Sequence, residues 1–428
     1  MFTQDYKQLP YWWERTAPPM EQDAELPKQV DVLIIGAGYT GLHAAIQTAR
    51  GARSTLVIDA EHAGWGGSNR NGGQVSTGIK PSFTELAKKH GKDMALAIHS
   101  EGNNALQFTG DFISQEGLDC SYEVVGRFHA AHNPVQYEKL ARALAQQIPE
   151  LKNDAYMLPR AAQESELGTE TYFGGAIFPN DASLDPAAYH SGLLDKALAA
   201  GASVMSFCAA ENINKHKQGF SIKTSKGIVQ AKQVIIATNG YTGALTPKLQ
   251  RRVIPIGSYV IATEAIDASL MQQLMPKNRI VSDTRKLVYY YRPSPDRSRI
   301  IFGGRVSLGE TNPNLSGPKL HDALTHIFPA LKHTKISHSW MGYVAFTFDT
   351  LMHQGKQDGL YYAMGYCGSG VAMAGYLGMR IGQETLGLDE GQTVFNKVKF
   401  QTRPLYTGKP WFLAPSLIYY RVMDRLNM

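Results

Sequence analysis

The fold is decided by the stretch Val30-Asp31-Val32-Leu33-Ile34-Ile35-Gly36-Ala37-Gly38-Tyr39-Thr40-Gly41, in which an apolar run passes directly into Gly-x-Gly-x-x-Gly. The run predicts a buried strand, and the glycines predict a tight turn into a helix. Gly36 permits the turn, Gly38 leaves room for a pyrophosphate against the backbone, and Gly41 lets the helix pack closely on the strand. Either this is a dinucleotide-binding turn at an anion-binding helix N-terminus, or it is a glycine-rich turn of an ordinary α/β core.

The residues that follow complete a strand-helix-strand unit. Apolar residues between positions 42 and 49 recur on one helical face, and Thr55-Leu56-Val57-Ile58 predicts a second apolar strand. That strand ends in Asp59 and Ala60, roughly 20 residues beyond the glycines, where an acidic side chain binds a ribose diol. The unit therefore predicts a site for FAD or NAD.

The composition limits the class of protein. The chain has 428 residues, of which 43% are hydrophobic and 19% charged, and its formal net charge is +6. This length allows two or three domain-sized units of ordinary globular composition. Without a basic cluster interleaved with aromatic residues or a long apolar run, we expect neither nucleic-acid binding nor a transmembrane segment. Three scattered cysteines and the lack of a signal pattern or a metal motif predict a soluble cytoplasmic protein without disulfides or metal.

Three further segments predict contacts to the same ligand. Residues 64–74 are too rich in glycine for a helix or strand, and they predict either a loop around a phosphate-bearing or planar group or a flexible connector. The apolar strand at 233–236 ends in Ala-Thr-Asn-Gly at 237–240, as expected where a ligand approaches the carboxyl edge of a sheet. Residues 365–375 follow an apolar strand and predict a second helix N-terminus that faces an anion.

Two observations favour FAD over NAD. The chain has one complete fingerprint and no Cys-x-x-Cys, which disfavours a flavoenzyme that takes electrons from NAD(P)H on a domain of its own. The electrons should therefore come from an organic substrate. One glycine cluster would suffice for NAD, whereas a bound FAD enclosed by the fold explains the wide separation of the clusters.

Four segments together resemble those of the D-amino-acid-oxidase-type flavoprotein family: residues 36–41, 66–74, 237–240 and 365–370. The flanking stretches resemble the branch of that family that oxidises gamma-glutamylated polyamines; they are residues 9–19, 256–264, 290–292, 303–305 and 417–425. The resemblance spans essentially the whole chain.

The resemblance implies an α/β fold, with a Rossmann-like FAD-binding domain of the glutathione-reductase type and a second, largely antiparallel substrate domain. We expect the first domain to comprise residues 1–85, 186–247 and 346–428, and the second to comprise residues 86–185 and 248–345. The sequence pattern itself predicts helices over 83–117, 134–147 and 186–200, and alternating strands over 252–264 and 287–306.

The resemblance also implies which residues hold the cofactor. Ala210 is expected at the adenine, Thr238 and Asn239 near the diphosphate, and the segment Gly368-Ser369-Gly370-Val371 at the flavin, where N–H donors stabilise negative charge on the reduced ring. The full set of cofactor candidates is Gly36, Gly38, Tyr39, Thr40, Gly41, Asp59, Ala60, Gly67, Ser68, Asn69, Arg70, Asn71, Gly72, Gly73, Gln74, Ala210, Thr238, Asn239, Gly240, Gly342, Gly368, Ser369, Gly370 and Val371.

Two positions depart from sarcosine-oxidase relatives. Gly342 stands where those relatives carry the cysteine that bonds to the flavin, so the resemblance implies noncovalent FAD. Ile301 stands near the position of their oxygen-activating lysine. The electron acceptor is therefore either O2, which gives H2O2, or another acceptor.

The chemistry implied by the resemblance is oxidation of a carbon–nitrogen bond. Hydride leaves the carbon beside a neutral amine nitrogen, and the resulting imine hydrolyses to aldehyde plus amine. The leading substrate is a gamma-glutamylputrescine-like amine that carries a carboxylate. The alternatives are an N-substituted glycine such as iminodiacetate and, from a different class, a flavin-binding protein without turnover.

Four side chains of the second sheet are candidate catalytic or substrate contacts: Tyr259, Tyr290, Tyr291 and Arg305. Tyrosines that alternate along a strand are also typical of a core or a rim. Arg305 follows two glycines and suits a substrate carboxylate, because a guanidinium binds a carboxylate bidentately. Arg292 precedes a proline, and we expect it in a solvated turn.

Overall fold

The computed structural model describes residues 1–20, 25–307, 309 and 311–425. The strands are β1 (Phe2–Lys7), β2 (Gln29–Ile35), β3 (Thr55–Ile58), β4 (Gln74–Val75), β5 (Arg127–Ala130), β6 (Tyr156–Leu158), β7 (Gly175–Phe178), β8 (Ala182–Ser183), β9 (Ser203–Met205), β10 (Ala210–His216), β11 (Gly219–Thr224), β12 (Gly227–Ile236), β13 (Ile254–Thr263), β14 (Ile280–Asp283), β15 (Tyr289–Pro293), β16 (Ile300–Gly304), β17 (Ile336–Phe346), β18 (His353–Gln357) and β19 (Leu360–Met364).

The α-helices are α1 (Tyr39–Arg50), α2 (Gly67–Arg70), α3 (Phe83–His90), α4 (Lys92–Glu116), α5 (Pro134–Ala145), α6 (Pro186–Ala199), α7 (Pro247–Gln250), α8 (Ala268–Leu274), α9 (Pro313–Ile327), α10 (Gly370–Leu386) and α11 (Leu413–Arg425). Short 3-10 turns lie at Tyr11–Glu14, Pro149–Leu151, Arg160–Ser165, Asn239–Tyr241, Pro329–Leu331, Asp389–Gly391 and Val394–Asn396.

The first sheet is built around β2. Its order is β10-β11-β12-β2-β3-β9, and β19 pairs with both β12 and β18. The strands β12, β2, β3 and β9 are parallel, as the strand-helix-strand pattern predicts. Residues 32–35 of β2 are buried, because helices cover one face and other segments cover the opposite face. A strand that is covered on both faces has a continuous apolar sequence, which explains the apolar run at residues 32–35.

Helices α1, α4, α6 and α10 form the layer on one face of this sheet. Leu42 and Ile46 of α1 pack there with Leu377 and Ile381 of α10. The start of α6 is fixed by Asp185, whose side chain accepts hydrogen bonds from the N–H groups of the first helical turn. This layer brings the N-termini of α1 and α10 to the carboxyl edge of the sheet.

The second sheet contains nine strands within the described residues, in the order β1-β17-β13-β16-β15-β14-β5-β7-β6. Most neighbours are antiparallel, as predicted, whereas β1 with β17 and β14 with β5 are parallel. One face packs on α9 around Tyr259, Tyr291 and Phe302. The opposite face packs on Trp12 and on Ala187 of α6, and therefore meets the first domain.

Two predicted elements differ in the structure. Gly91, with φ +88°, divides the helix predicted over 83–117 into α3 and α4. The segment 64–74, predicted as a loop, contains the short helix α2, and its last residue begins β4, which pairs with β8. In both cases neighbouring segments decide the local conformation.

The division into two domains remains a proposal, and the packing changes two of its predicted bounds. Strand β1, assigned to the cofactor domain, pairs with β17 of the second sheet. Helix α4, assigned to the substrate domain, packs against α10 through Ala95, Ile98 and Ala105. Residues 21–24, 308, 310 and 426–428 of the predicted domains lie outside the described residues. Among the helices that are described, none combines the length and hydropathy of a membrane span.

Candidate cofactor site

A cavity of about 540 Å³ lies at the carboxyl ends of β2, β3 and β12. The predicted cofactor residues that line it are Gly36, Gly38, Tyr39, Thr40, Asp59, Ala60, Gly67, Ser68, Asn71, Ala210, Thr238, Asn239, Gly368, Gly370 and Val371. Segments separated by more than 300 residues in the chain thus meet around one space. Its volume is within the range of small-molecule and cofactor sites.

The turn after β2 requires its first glycine. Gly36 has φ +110°, a conformation that L side chains rarely adopt. A Cβ at this position would also lie 2.8 Å from the Ala237 carbonyl oxygen, at the end of β12. Gly41 does not line the cavity, because it faces back onto the Gly36 carbonyl and allows α1 to approach β2. The first and third glycines therefore shape the turn, and Gly38 lies at the cavity itself.

The two long helices α1 and α10 begin at the cavity without a cap from their N-cap side chains. The N-cap residues, Gly38 of α1 and Ser369 of α10, accept no hydrogen bond through a side chain. Gly370 and Val371 line the cavity, whereas the Ser369 hydroxyl turns away and donates to the Gly78 carbonyl. In the first turn of α1 the Tyr39 N–H donates to the Ser68 hydroxyl. The other N–H groups of both first turns have no partner within their helix, and each helix start carries a partial positive charge. The two helix starts therefore suit an anionic group, and they fit a ligand that contains a pyrophosphate.

Hydrogen bonds join the glycine segments to one another. The Ser68 hydroxyl oxygen accepts from the Tyr39 N–H at 2.9 Å, so the second segment is held against the start of α1. The Asn239 side-chain oxygen accepts from the Gly365 N–H at 2.9 Å. Asn239 itself has φ +41°, a conformation in which asparagine is one of the more frequent residues. These contacts explain why polar residues stand among the glycines.

Asp59 lies at the end of β3 and holds its carboxylate with backbone donors. Its oxygens accept from the Ala37 N–H at 2.8 Å and from the Glu61 N–H at 3.1 Å. Burial raises the pKa of Asp59, and the two backbone hydrogen bonds oppose that shift. Beneath the same turn, His190 Nε2 is 2.8 Å from the Ala37 carbonyl oxygen, and burial lowers the pKa of His190 to about 4. His190 is therefore a neutral N–H donor that supports the turn.

The rest of the 64–74 segment lies behind the cavity wall. Arg70 donates to the Trp65 and Met341 carbonyls, and its guanidinium lies over the Trp65 ring. Asn69 is buried, and its Oδ1 has no hydrogen-bond partner within the described residues. The end of the segment meets the second sheet, where Gly72 approaches the Tyr290 ring and Gln74 donates to carbonyls of β14 and β15. Asn69, Arg70, Gly72, Gly73 and Gln74 support the cavity and are not among the residues lining it.

Gly342 and Gly240 also lie just outside the cavity lining. A Cβ on Gly342 would be 2.9 Å from the Arg70 Cβ, and one on Gly240 would be 3.1 Å from the Tyr343 Cβ. Close packing explains both glycines. The cavity is lined instead by their neighbours Tyr241 and Tyr343, whose rings lie 5.4 Å apart.

The structure separates the four side chains predicted to contact substrate. Tyr259 and Tyr291 are fully buried on the α9 face, where Tyr291 stacks on Phe302, so the structure places these two in the core of the second domain and not at the cavity. Alternation along a strand defines two faces but does not say which one meets the ligand. Tyr290 lies on the opposite face, packs with Trp12 and shares a hydrogen bond with Ser258.

Both arginines lie in environments that differ from those expected. Arg305 is buried beside the Tyr259 ring and donates to the Gly257 carbonyl at 2.7 Å, and it does not line the cavity. Arg292, expected in a solvated turn, is buried in β15 and donates to the carbonyls of Gly73 and Leu184. It joins the glycine segment, the strand before α6 and the second sheet. The proline that follows marks a strand end and not an exposed turn.

Trp65, Gly66, Tyr366 and Ala374 line the cavity and lie within the predicted segments, although they were not predicted individually. Other lining residues were missing from the sequence prediction: Glu61, Cys208, Ala209, Tyr241, Thr246, Tyr343, Val344 and Ala345. Most of them directly follow or lie beside predicted residues, so adjacency to the glycine segments was the available signal. Cys208 and Ala209 lie next to the predicted Ala210. No local pattern distinguishes residues 343–345, because it is the path of β17 that brings them to the cavity.

Comparison with known proteins gives one family and a set of similar folds. Residues 31–384 match the family model described as FAD dependent oxidoreductase. The chain is 30% identical over 401 residues to gamma-glutamylputrescine oxidoreductase of Escherichia coli strain K12, with 93% of each chain covered. It is 29% identical over 426 residues to a probable oxidoreductase, OrdL, of Rhizobium meliloti, with 97% of each covered.

Solved structures support the same architecture. Glycine oxidase from Geobacillus kaustophilus superimposes with a TM-score of 0.72 at 18% identity, covering 88% of this chain and 99% of that one. Iminodiacetate oxidase from Chelativorans sp. BNC1 superimposes with a TM-score of 0.69 at 16% identity, covering 87% and 98%. At these identities the similarity concerns the fold.

Proposed function

The chain belongs to the FAD-dependent oxidoreductase family, and from that premise we propose that it oxidises a carbon–nitrogen bond of a small amine that carries a carboxylate. The observation that carries the proposal is the convergence of the α1 and α10 N-termini on one cavity that the second sheet adjoins. An elongated cofactor with a pyrophosphate and a ring that becomes anionic on reduction uses both helix starts.

The residues proposed to hold FAD are those that line the cavity. Gly38, Tyr39 and Thr40 at the start of α1 serve the pyrophosphate, and Asp59 serves the ribose. The α10 start, with Gly368, Gly370 and Val371, serves the flavin. Bound FAD supplies an acceptor for the hydride that leaves the carbon beside the amine nitrogen. Because Gly342 offers no thiol and Arg70 fills the space beside it, we expect FAD to be held noncovalently.

The protein's own contribution to the reaction is electrostatic. The partial positive charge at the α10 start favours negative charge nearby and disfavours a protonated amine. An amine that enters beside it therefore has a lowered pKa and is more often neutral, which is the form that releases hydride. The tyrosines of the lining stay neutral, since burial raises the pKa of both Tyr241 and Tyr366. These hydroxyls position a ligand and do not act as bases.

The proposed substrate class follows from the name of one relative, gamma-glutamylputrescine oxidoreductase, to which the chain is 30% identical. We propose a gamma-glutamylputrescine-like amine, whose imine hydrolyses to an aldehyde plus an amine, with O2 reduced to H2O2. Iminodiacetate and related N-substituted glycines are the second candidates, because the fold similarity includes an enzyme named for that substrate. A flavin-binding protein without turnover is the alternative from a different class.

An anaerobic titration separates these candidates. The purified protein is mixed without oxygen with gamma-glutamylputrescine, putrescine, iminodiacetate and sarcosine, and flavin absorbance is followed. We expect gamma-glutamylputrescine to bleach the flavin at the lowest concentration. Faster bleaching by iminodiacetate would replace the proposed substrate, and no bleaching by any amine would favour the non-catalytic alternative.

Precipitation with acid tests the noncovalent attachment of the cofactor. Intact FAD should appear in the supernatant, whereas flavin retained in the pellet would contradict this part of the proposal.

A further inference from the structure

Lys80 lies in the connection between β4 and α3, next to the start of α10. A Cβ built on Gly368 would be 3.8 Å from Lys80 Nζ. The connection is fixed on both sides, because the Ser369 hydroxyl donates to the Gly78 carbonyl at 2.5 Å and Ile79 packs toward Gly102 of α4. The lysine therefore reaches the turn that we propose to hold the flavin, although it follows the glycine segment by six residues.

The Lys80 side chain is exposed to solvent, yet the protein around its ammonium lowers the pKa of Lys80 by desolvation. A cation in that position is incompletely hydrated, and its charged form is destabilised unless an anion is near.

No carboxylate of the described residues pairs with Lys80. The acidic group that acts on it is the Cys367 thiol, and burial raises the pKa of that thiol to about 11, so the thiol is neutral at physiological pH. From β5, Arg127 opposes the lysine charge but is itself paired with Asp181 at 2.7 Å. His129, also on β5, is neutral because burial lowers its pKa to about 3.

We propose that Lys80 binds the carboxylate of the amine substrate beside the start of α10, where its Nζ lies 3.8 Å from a Cβ built on Gly368. This inference rests on the proposed amine oxidation and names the residue that selects a substrate with a carboxylate. The ammonium attracts the carboxylate end, and the amine end is then free to lie at the flavin beside the start of α10. Lys80 thus takes the role that was predicted for Arg305, which the structure places beside Tyr259.

The test compares Lys80→Met with the control variant Lys89→Met, which removes an exposed lysine of α3. The substrates are gamma-glutamylputrescine and the same amide without the α-carboxylate, N-(4-aminobutanoyl)putrescine. We expect Lys80→Met to raise KM for the carboxylated amine about 10- to 150-fold, with the KM of the analogue that lacks the carboxylate changed less than twofold. Lys80→Arg should recover part of the affinity. Flavin content and unfolding temperature should match those of the wild type.

A second measurement does not depend on turnover. Acetate is titrated into the oxidised holoenzyme at constant ionic strength, with acetamide as the uncharged match, and the shift of the flavin absorbance spectrum is recorded. Lys80→Met should weaken acetate binding at least tenfold. In the wild type, acetate binding should weaken as the pH rises through the lysine pKa, which is lower than that of an exposed lysine. Lys80→Gln should behave as Lys80→Met does.

Three results would overturn the proposal: equal losses for the charged and uncharged ligands, no loss for either, or slower reoxidation by O2 with carboxylate binding unchanged. The last result would assign the lysine to the oxygen reaction. If no amine reduces the wild type, the proposed function fails, but the acetate titration still decides whether Lys80 is an anion site.

Discussion

The cofactor cavity and the second sheet differ in the groups that they offer to a ligand. In the cavity, the glycine turn and the two helix starts present backbone N–H groups, and their position follows from the residues immediately around them. In the second sheet, the groups of interest are side chains, and their direction depends on register and on the layer that covers each face. The position of a site built from backbone groups can therefore be predicted from the sequence, whereas the position of a site built from side chains depends on the fold.

The largest effect should come from breaking the backbone site. Gly36→Val adds a side chain at φ +110° and 2.8 Å from the Ala237 carbonyl, so we expect at least about 3 kcal/mol of lost stability and no retained FAD. Gly201→Val is the matched control, because Gly201 has φ +94° but no atom within 4 Å of the added Cβ. Thermal unfolding and flavin content measure the difference. Equal losses in the two variants would show that strain alone matters.

The next effect concerns Asp59, the side chain on which the backbone site depends. Asp59→Ala removes a carboxylate that orders the Ala37 and Glu61 N–H groups and that we propose binds the ribose, so FAD should bind about 10- to 150-fold more weakly, or about 1.5 to 3 kcal/mol. Asp31→Ala removes another aspartate that accepts a backbone hydrogen bond, at the opposite end of the sheet. Fluorescence titration of the apoprotein should show weaker FAD binding only for Asp59→Ala.

A pH effect should follow from the histidine beneath the turn. The pKa of His190 in the folded protein is about 4, below the value of about 6.5 in the unfolded chain, so the unfolded state binds more protons between these values. Stability is therefore complete above pH 6.5 and falls as the pH drops toward 4, by about 2 kcal/mol at pH 5 for this residue. Urea unfolding at pH 7 and pH 5 should show a smaller loss for His190→Gln than for the wild type. The exposed His333→Gln should keep the full loss.

The smallest effect should come from Arg305, which the sequence favoured for the substrate. Because Arg305 donates to the Gly257 carbonyl and lies beside Tyr259, Arg305→Ala should lower stability while the preference for a carboxylated amine over the analogue without the carboxylate changes less than twofold. Ratios of kcat/KM for the two substrates measure this. A loss of preference as large as that expected for Lys80→Met would show that Arg305 binds the carboxylate. The site in the second sheet would then have been predicted from sequence as well as the cofactor cavity was.

Particular residues show where sequence reasoning succeeds. The strand, turn, helix and acidic strand end at 30–59 form a local unit, and the structure contains each part. The family and the α/β class follow from the same segments. Local reasoning failed for Arg292 because the carbonyls that it binds belong to residues 73 and 184, which no spacing rule connects to it. It missed residues 343–345 and Lys80 for the same reason, since tertiary structure alone brings them to the cavity or to the α10 turn.

The pairing of β2 with β12 also has a consequence for synthesis on the ribosome. The strand that carries the first glycines leaves the ribosome roughly 200 residues before its neighbour β12, and the α10 start follows later still. Contacts of such sequence separation form slowly, and during that interval a nascent chain holds the apolar strand β2 with β3 on one side but without β12 on the other. FAD can therefore assist only the last stage of folding. Cells short of riboflavin should accumulate full-length protein that proteases cleave, while shorter nascent chains should be equally vulnerable with or without the vitamin.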